Sequence, residues 1–260
     1  MMASRTRRSN GRRLQGLAVK IGFVLSILAL WQFVTASNLV SPLFLPRPGE
    51  AFLTFLRLIT TGEAFSDLSI TLLELSLAFP LAAVAGTVIG YLVSTHAYSV
   101  RAFEPVFAGL YAIPVIIFYP LNVLFFGLGI ESKVVHGALF GFFPVVLNTI
   151  QGFARVDPVL IRLAHVLGAS RRQMVIRILF PAALPAMLTG YRMGFILSFL
   201  AIIGAETIAS FAGLGHRIVW YAEALNMPMM FGYILFVILV AALLNALVTY
   251  AESRQMVEGR

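Results

Sequence analysis

ITLLELSLAFPLAAVAGTVIGYLVS, residues 70–94, carries a single charged side chain, Glu74, in 25 residues. A helix needs roughly 20 mostly apolar residues to cross the hydrocarbon of a bilayer, so this stretch is long enough to span one. Five further runs read the same way, at about 17–36, 104–127, 133–152, 183–209 and 230–250. The 260-residue chain is 60% hydrophobic and 12% charged with mean hydropathy +0.92, too apolar for an ordinary soluble domain. The expected fold is all-α, a polytopic membrane protein with six transmembrane helices.

An even number of spans returns both termini to one side, and the basic residues say which. Arg5, Arg7, Arg8, Arg12, Arg13, Lys20, Arg101, Arg155, Arg162, Arg171, Arg172, Arg177, Arg192, Arg254 and Arg260 fall on one side; Arg47, Arg57, Lys133 and Arg217 fall on the other, a division of 15 to 4. The positive-inside rule then makes both termini cytoplasmic. The parts in order are a basic tail (1–16), a first span (17–36), an outer amphipathic segment (37–69), a core of five spans (70–250) enclosing an inward-facing loop (153–181), and a tail (251–260). The first run, with its basic start and with Ala36 and Ser37 after the apolar stretch, also fits a secretory signal peptide, whose removal would leave five spans. In the outer segment Ala51, Phe52, Phe55, Leu56 and Ile59 recur at helical spacing and predict an amphipathic helix on the membrane surface. Gly86 with Gly90, and Gly137 with Gly141, would let helices approach closely.

Between Gly152 and Pro181 the longest inward connection is organised as two short helices. Asp157 before Pro158 suits an N-cap followed by proline at the first helical position, and Gly168 suits the stop. Ser170 and Gln173 form a capping box for the second helix. Val159, Leu163, Val166 and Leu167 form an apolar stripe on the first helix, with Arg162 and His165 elsewhere on its surface. Either an interfacial helix under the bilayer or a docking knob for a cytoplasmic partner would have this pattern.

Several chemistries are excluded. There is no cysteine, hence no disulfide and no thiolate ligand or nucleophile. Lys20 and Lys133 are the only lysines, neither in a Gly-Lys-Ser/Thr loop, so the chain carries no phosphate-binding loop for ATP. His96, His136, His165 and His216 are scattered without ligand spacing, so no metal site is expected. The net charge of +8 lies in the connections between spans, which argues against nucleic acid.

The segment Leu163-Ala164-His165-Val166-Leu167-Gly168-Ala169-Ser170, followed by Ile178-Leu179-Phe180-Pro181, resembles the signature loop of type I ABC importer permeases. That pattern is Glu-Ala-Ala, three residues, Gly, nine residues, then Ile-x-Leu-Pro. Ala164, Gly168, Ile178 and Pro181 fall in register; Arg162, Leu163 and Phe180 depart from it. Further stretches, among them Ala112-Ile113-Pro114, Phe125-Phe126-Gly127-Leu128-Gly129, Val156-Asp157-Pro158, Ala205-Glu206 and Gly213-Leu214-Gly215, are similar to the nitrate, sulfonate and taurine branch. The resemblance implies a multi-pass protein of the bacterial inner membrane, acting as a homodimer that forms the pore. It also implies two ATPase subunits carrying ATP and Mg, a periplasmic substrate-binding protein, and coupling by residues 157–181. It implies no enzyme activity and no cofactor in this chain, and a small organic or anionic solute as cargo. The competing expectation is an ATP-independent secondary transporter or channel, which usually shows internal repeats; none is seen.

Polar residues within spans are the candidates for a translocation path: Glu74, Tyr111, Tyr119, Asn122, His136, Asn148 and Glu206. Glu206 sits where the resembling permeases also carry glutamate, which points to structure or gating more than recognition. Glu74 replaces an arginine common in the family; it faces the path and disfavours a simple oxoanion, or lies solvated near the outer interface. His136 reads as a packing residue or a ligand contact. Pro114, Pro120 and Pro144 would kink the third and fourth spans.

Overall fold

A computed structural model describes residues 3–258. The described residues form helices joined by short turns: α1 (Ala3–Ala36), α2 (Pro48–Thr61), α3 (Glu63–Ser94), α4 (Ala97–Tyr111), α5 (Tyr119–Phe126), α6 (Ile130–Ala154), α7 (Pro158–Val166), α8 (Arg171–Met174), α9 (Phe180–Ile208), α10 (Leu214–Glu223) and α11 (Met227–Glu258). Five are long and apolar enough to cross a membrane, and α4 with α5 makes a sixth span if the pair is counted as one. The side chains of Arg5, Arg7, Arg8, Arg12 and Arg13, and all of Arg260, lie outside the described residues.

Three helices build the centre. On α3, α6 and α9 small side chains recur every four residues, which on a helix is one face, and the three faces meet in layers. Gly86 lies so near α6 that a methyl group there would meet Val145 Cγ1 at 2.7 Å, and a methyl on Gly194 of α9 would meet the same valine at 2.9 Å. One layer along, Gly141 lies against Ala82 and Ser198; the next places Gly137 between Ala78 and Ile202. Toward the α7 end, Gly90 abuts Thr149, Gly190 abuts Asn148, and Gly152 crosses Ala183. Without a hydrophobic drive between helices in lipid, such backbone approach supplies the dispersion contacts that hold the bundle. The spacing of Gly86, Gly90, Gly137 and Gly141 signalled two of the three faces; the third, on α9, went unread.

Several boundaries differ from expectation. The second span begins at Glu63, because Gly62 takes a left-handed conformation (φ 75°) that ends α2 and turns the chain directly into α3. The amphipathic α2 packs on α11, burying Ala51 and Leu58 while Phe52 and Leu56 stay exposed. The third span is broken: α4 and the following helical segment meet at 75°. Pro114 stands at the break, before a 3₁₀ turn (Val115–Phe118). Pro120 kinks nothing, since it lies in the first turn of α5, where a missing N–H costs no bond. Pro144 lies inside α6.

Candidate functional site

The loop between α6 and α9 has its caps in place. The Asp157 carboxylate accepts from the Val159 N–H (2.8 Å) and starts α7. Gly168 (φ 72°) ends it, with its N–H donating to His165 O and that of Ala169 donating to Ala164 O. Ser170 and Gln173 exchange side-chain and backbone bonds at the start of α8. A π-helical turn, Val175–Leu179, then leads into α9, with Ile178 in that turn and Pro181 in the first turn of α9. Only Ala164 is buried in α7, whereas Val159, Leu163, Val166 and Leu167 are 54%, 52%, 83% and 75% exposed. Arg162 is exposed with no ion pair among the described residues. The loop therefore presents an apolar ridge on a helix held by one small residue.

At the opposite end of the bundle the candidate path residues occupy a buried polar layer. Glu74 is 1% exposed and its Oε1 lies 2.9 Å from Lys133 Nζ, which also donates to Ser210 Oγ (2.8 Å). Glu74 is thus not solvated, and Lys133, counted above among the outer basic residues, is a buried residue of α6. Glu206 Oε1 accepts from Thr71 (2.7 Å) and its Oε2 from the N–H of Gly215 (2.7 Å), while Leu214 N donates to Thr71 Oγ1 (3.1 Å). Two free N–H groups at the start of α10 are so satisfied from α3 and α9, with a carboxylate where the helix end favours one. Gly213 (φ 102°) and Gly215 admit this carboxylate because any Cβ at either would collide with Glu206. One turn outward, Arg217 Nε donates to both Asp67 oxygens (3.2 and 3.0 Å), and Tyr233 OH adds a third bond (3.2 Å).

The other candidates are scattered among helix contacts. Tyr119 is buried and its OH donates to Ala209 O (2.7 Å). Asn122 Nδ2 donates to Nδ1 of the fully buried His136 (3.2 Å), whose ring packs on Tyr119. Asn148 Nδ2 donates to Pro144 O, one turn back on its own helix (2.8 Å). Tyr111 is half-buried beside Phe143. Glu74, Lys133 and Glu206 come together; Tyr119, Asn122 and His136 form a second group. Lys133, Thr71 and Asp67 were missed by sequence reasoning, although an ionisable residue so near the start of a span was itself a signal.

An all-helical bundle with a capped loop between its fourth and fifth spans can be compared with known proteins. The family model described as the binding-protein-dependent transport system inner membrane component matches residues 78–256. The chain belongs to that family. Among relatives of this inner-membrane component, the putative aliphatic sulfonates transport permease SsuC of Bacillus subtilis is 34% identical over 83% of this chain and 78% of its own. The taurine transport system permease TauC of Escherichia coli is 31% identical over 88% and 85% respectively. An inward-facing structure of the MetNI methionine ABC transporter shares the fold, with TM-score 0.62 at 19% identity over 75% of this chain and 95% of that one. The family is that of transport permeases, and the chain is the membrane-spanning, permease component of an ABC importer.

Proposed function

We propose that this permease forms, with a second copy, the path for a small organic anion of the sulfonate or taurine kind. It is driven by two copies of a separate ATPase that docks on α7 and carries the ATP and Mg. The exposed ridge of Val159, Leu163, Val166 and Leu167 carries this reading. Four large apolar side chains on one capped helix are a surface left for a partner. Basic residues concentrated at that end of the spans support a cytoplasmic position for it and for both termini. The names of the sulfonate and taurine relatives support the cargo class, and a periplasmic binding protein that delivers the cargo would set the selectivity.

The broken third span supports the shared path. Ala112, Ile113 and Pro114 are exposed and non-helical at the break between the two halves of that span, and within a bilayer backbone of that kind does not face lipid. A second copy or a water-filled path must cover it. The ATPase reading is tested by purifying the tagged chain from its host membranes. An ATPase should co-purify, and Leu163→Asp with Leu167→Asp should lose it while membrane insertion is kept. Transport that continues undiminished without ATP would overturn the reading.

A further inference from the structure

Behind α7 the chain is not solid. A cavity of about 510 Å³ separates α7 and the π-helical turn from the ends of α3 and α6, within the roughly 300–1,000 Å³ usual for small-molecule sites. Its lining is divided by chemistry. Phe153, Ile161 and Leu179 make one part apolar, with the Tyr91 ring set edge-on against Phe153 (5.3 Å). Arg171 and His165 supply the other. No carboxylate lines the cavity, and Arg171 makes no ion pair among the described residues. His165 is turned by its own helix, Nδ1 bonding Ile161 O (2.9 Å), which leaves Nε2 for another partner. A permanently charged guanidinium fits an oxoanion in bidentate fashion, and the apolar part fits a short hydrocarbon. Helical turns of the π kind recur at functional sites, and here one forms part of the wall.

We propose that this cavity binds a tetrahedral oxoanion carrying a short apolar tail, and that the bound anion braces α7 against α3 and α6. The tail-bearing anion has two sources, a free organic sulfonate or phosphate and the headgroup of an anionic phospholipid. The cavity's chemistry does not depend on an ATPase; only the consequence of the bracing rests on the function proposed above.

The full chain in nanodiscs of zwitterionic lipid, titrated calorimetrically with hexanesulfonate, tests the site. Inorganic sulfate and hexanol serve as head-only and tail-only controls. Hexanesulfonate should bind about tenfold or more tightly than either control, and Arg171→Gln should weaken it about tenfold, the loss of one charge-assisted contact. Ser94→Phe, which fills the cavity from α3 and leaves Arg171 in place, should abolish binding. Amide exchange in α7 and α8 should slow when the anion is bound. Nanodiscs containing phosphatidylglycerol separate the sources: displacement of hexanesulfonate assigns the site to the headgroup, and undisturbed binding assigns it to the free anion. Equal affinity in wild type, Arg171→Gln and Ser94→Phe, or hexanol binding as well as hexanesulfonate, overturns the proposal. No ATPase enters these measurements, so failure of docking on α7 and failure of this site are distinguishable.

Discussion

Glu74 and Lys133 meet at 2.9 Å with 1% and 5% of their side chains exposed. Bringing two charges out of water is costly, and their attraction repays it only while both are present. Glu74→Leu should therefore destabilise the bundle by about 3–5 kcal/mol by stranding the lysine, and Lys133→Met should do the same by stranding the carboxylate. The double substitution should recover most of the loss. Thermal unfolding in detergent, run as a double-mutant cycle, reads the difference; additive losses would mean the pair is not coupled. The pairing was not legible in the sequence. A span with one carboxylate and another starting near a lysine say nothing about facing each other, because the contact depends on how two helices are rotated. Glu206 was more legible, as a carboxylate ahead of Gly213-Leu214-Gly215, although its partner Thr71 comes from a different helix.

Of the elements, α7 was the most legible, because its stops are written within a few residues of its ends. Asp157, Pro158, Gly168 and the Ser170–Gln173 box each act locally, and local chemistry does not depend on the remainder of the fold. Gly168 gives a graded prediction. Its φ is 72° and nothing lies within 4 Å of an added Cβ, so substitution is penalised by backbone conformation alone, about 1–2 kcal/mol for most residues. Asparagine tolerates this region and a β-branched residue does not. Coupling of ATP hydrolysis to transport should thus fall in the order Gly, Asn, Val at this position, with membrane insertion unchanged. Equal coupling in Gly168→Val and wild type would remove this helix stop from the mechanism. The broken third span was less legible: Pro114 marked the place, but hydropathy averages over a window and carries no direction, so the 75° turn left no trace in it.

For the whole molecule, two of the exposed apolar faces need different neighbours. The outer face of α3, including Leu77, Leu81, Val84 and Val88, is regular helix and suits lipid. The face of α5, with Leu124 and Phe125 75% and 76% exposed, adjoins the irregular backbone that lipid does not accept. The chain has no cysteine, so single introduced cysteines report cleanly. Phe125→Cys should cross-link two copies in the membrane and Val84→Cys should not; the reverse pattern would place the shared surface on α3. The layers joining α3, α6 and α9 bear on what such an assembly does. From the crossing at Gly152, through Gly90 and Gly86, to the charged layer at Glu74 the three helices touch at every turn. Apart from the cavity behind α7, the contacts along these three helices are close. With an ATPase docked on α7 as proposed, the block would act as a lever whose arm, from Gly90 to Glu74, is about 24 Å at about 1.5 Å per residue, and a small tilt at the loop would arrive at the far end multiplied by its length.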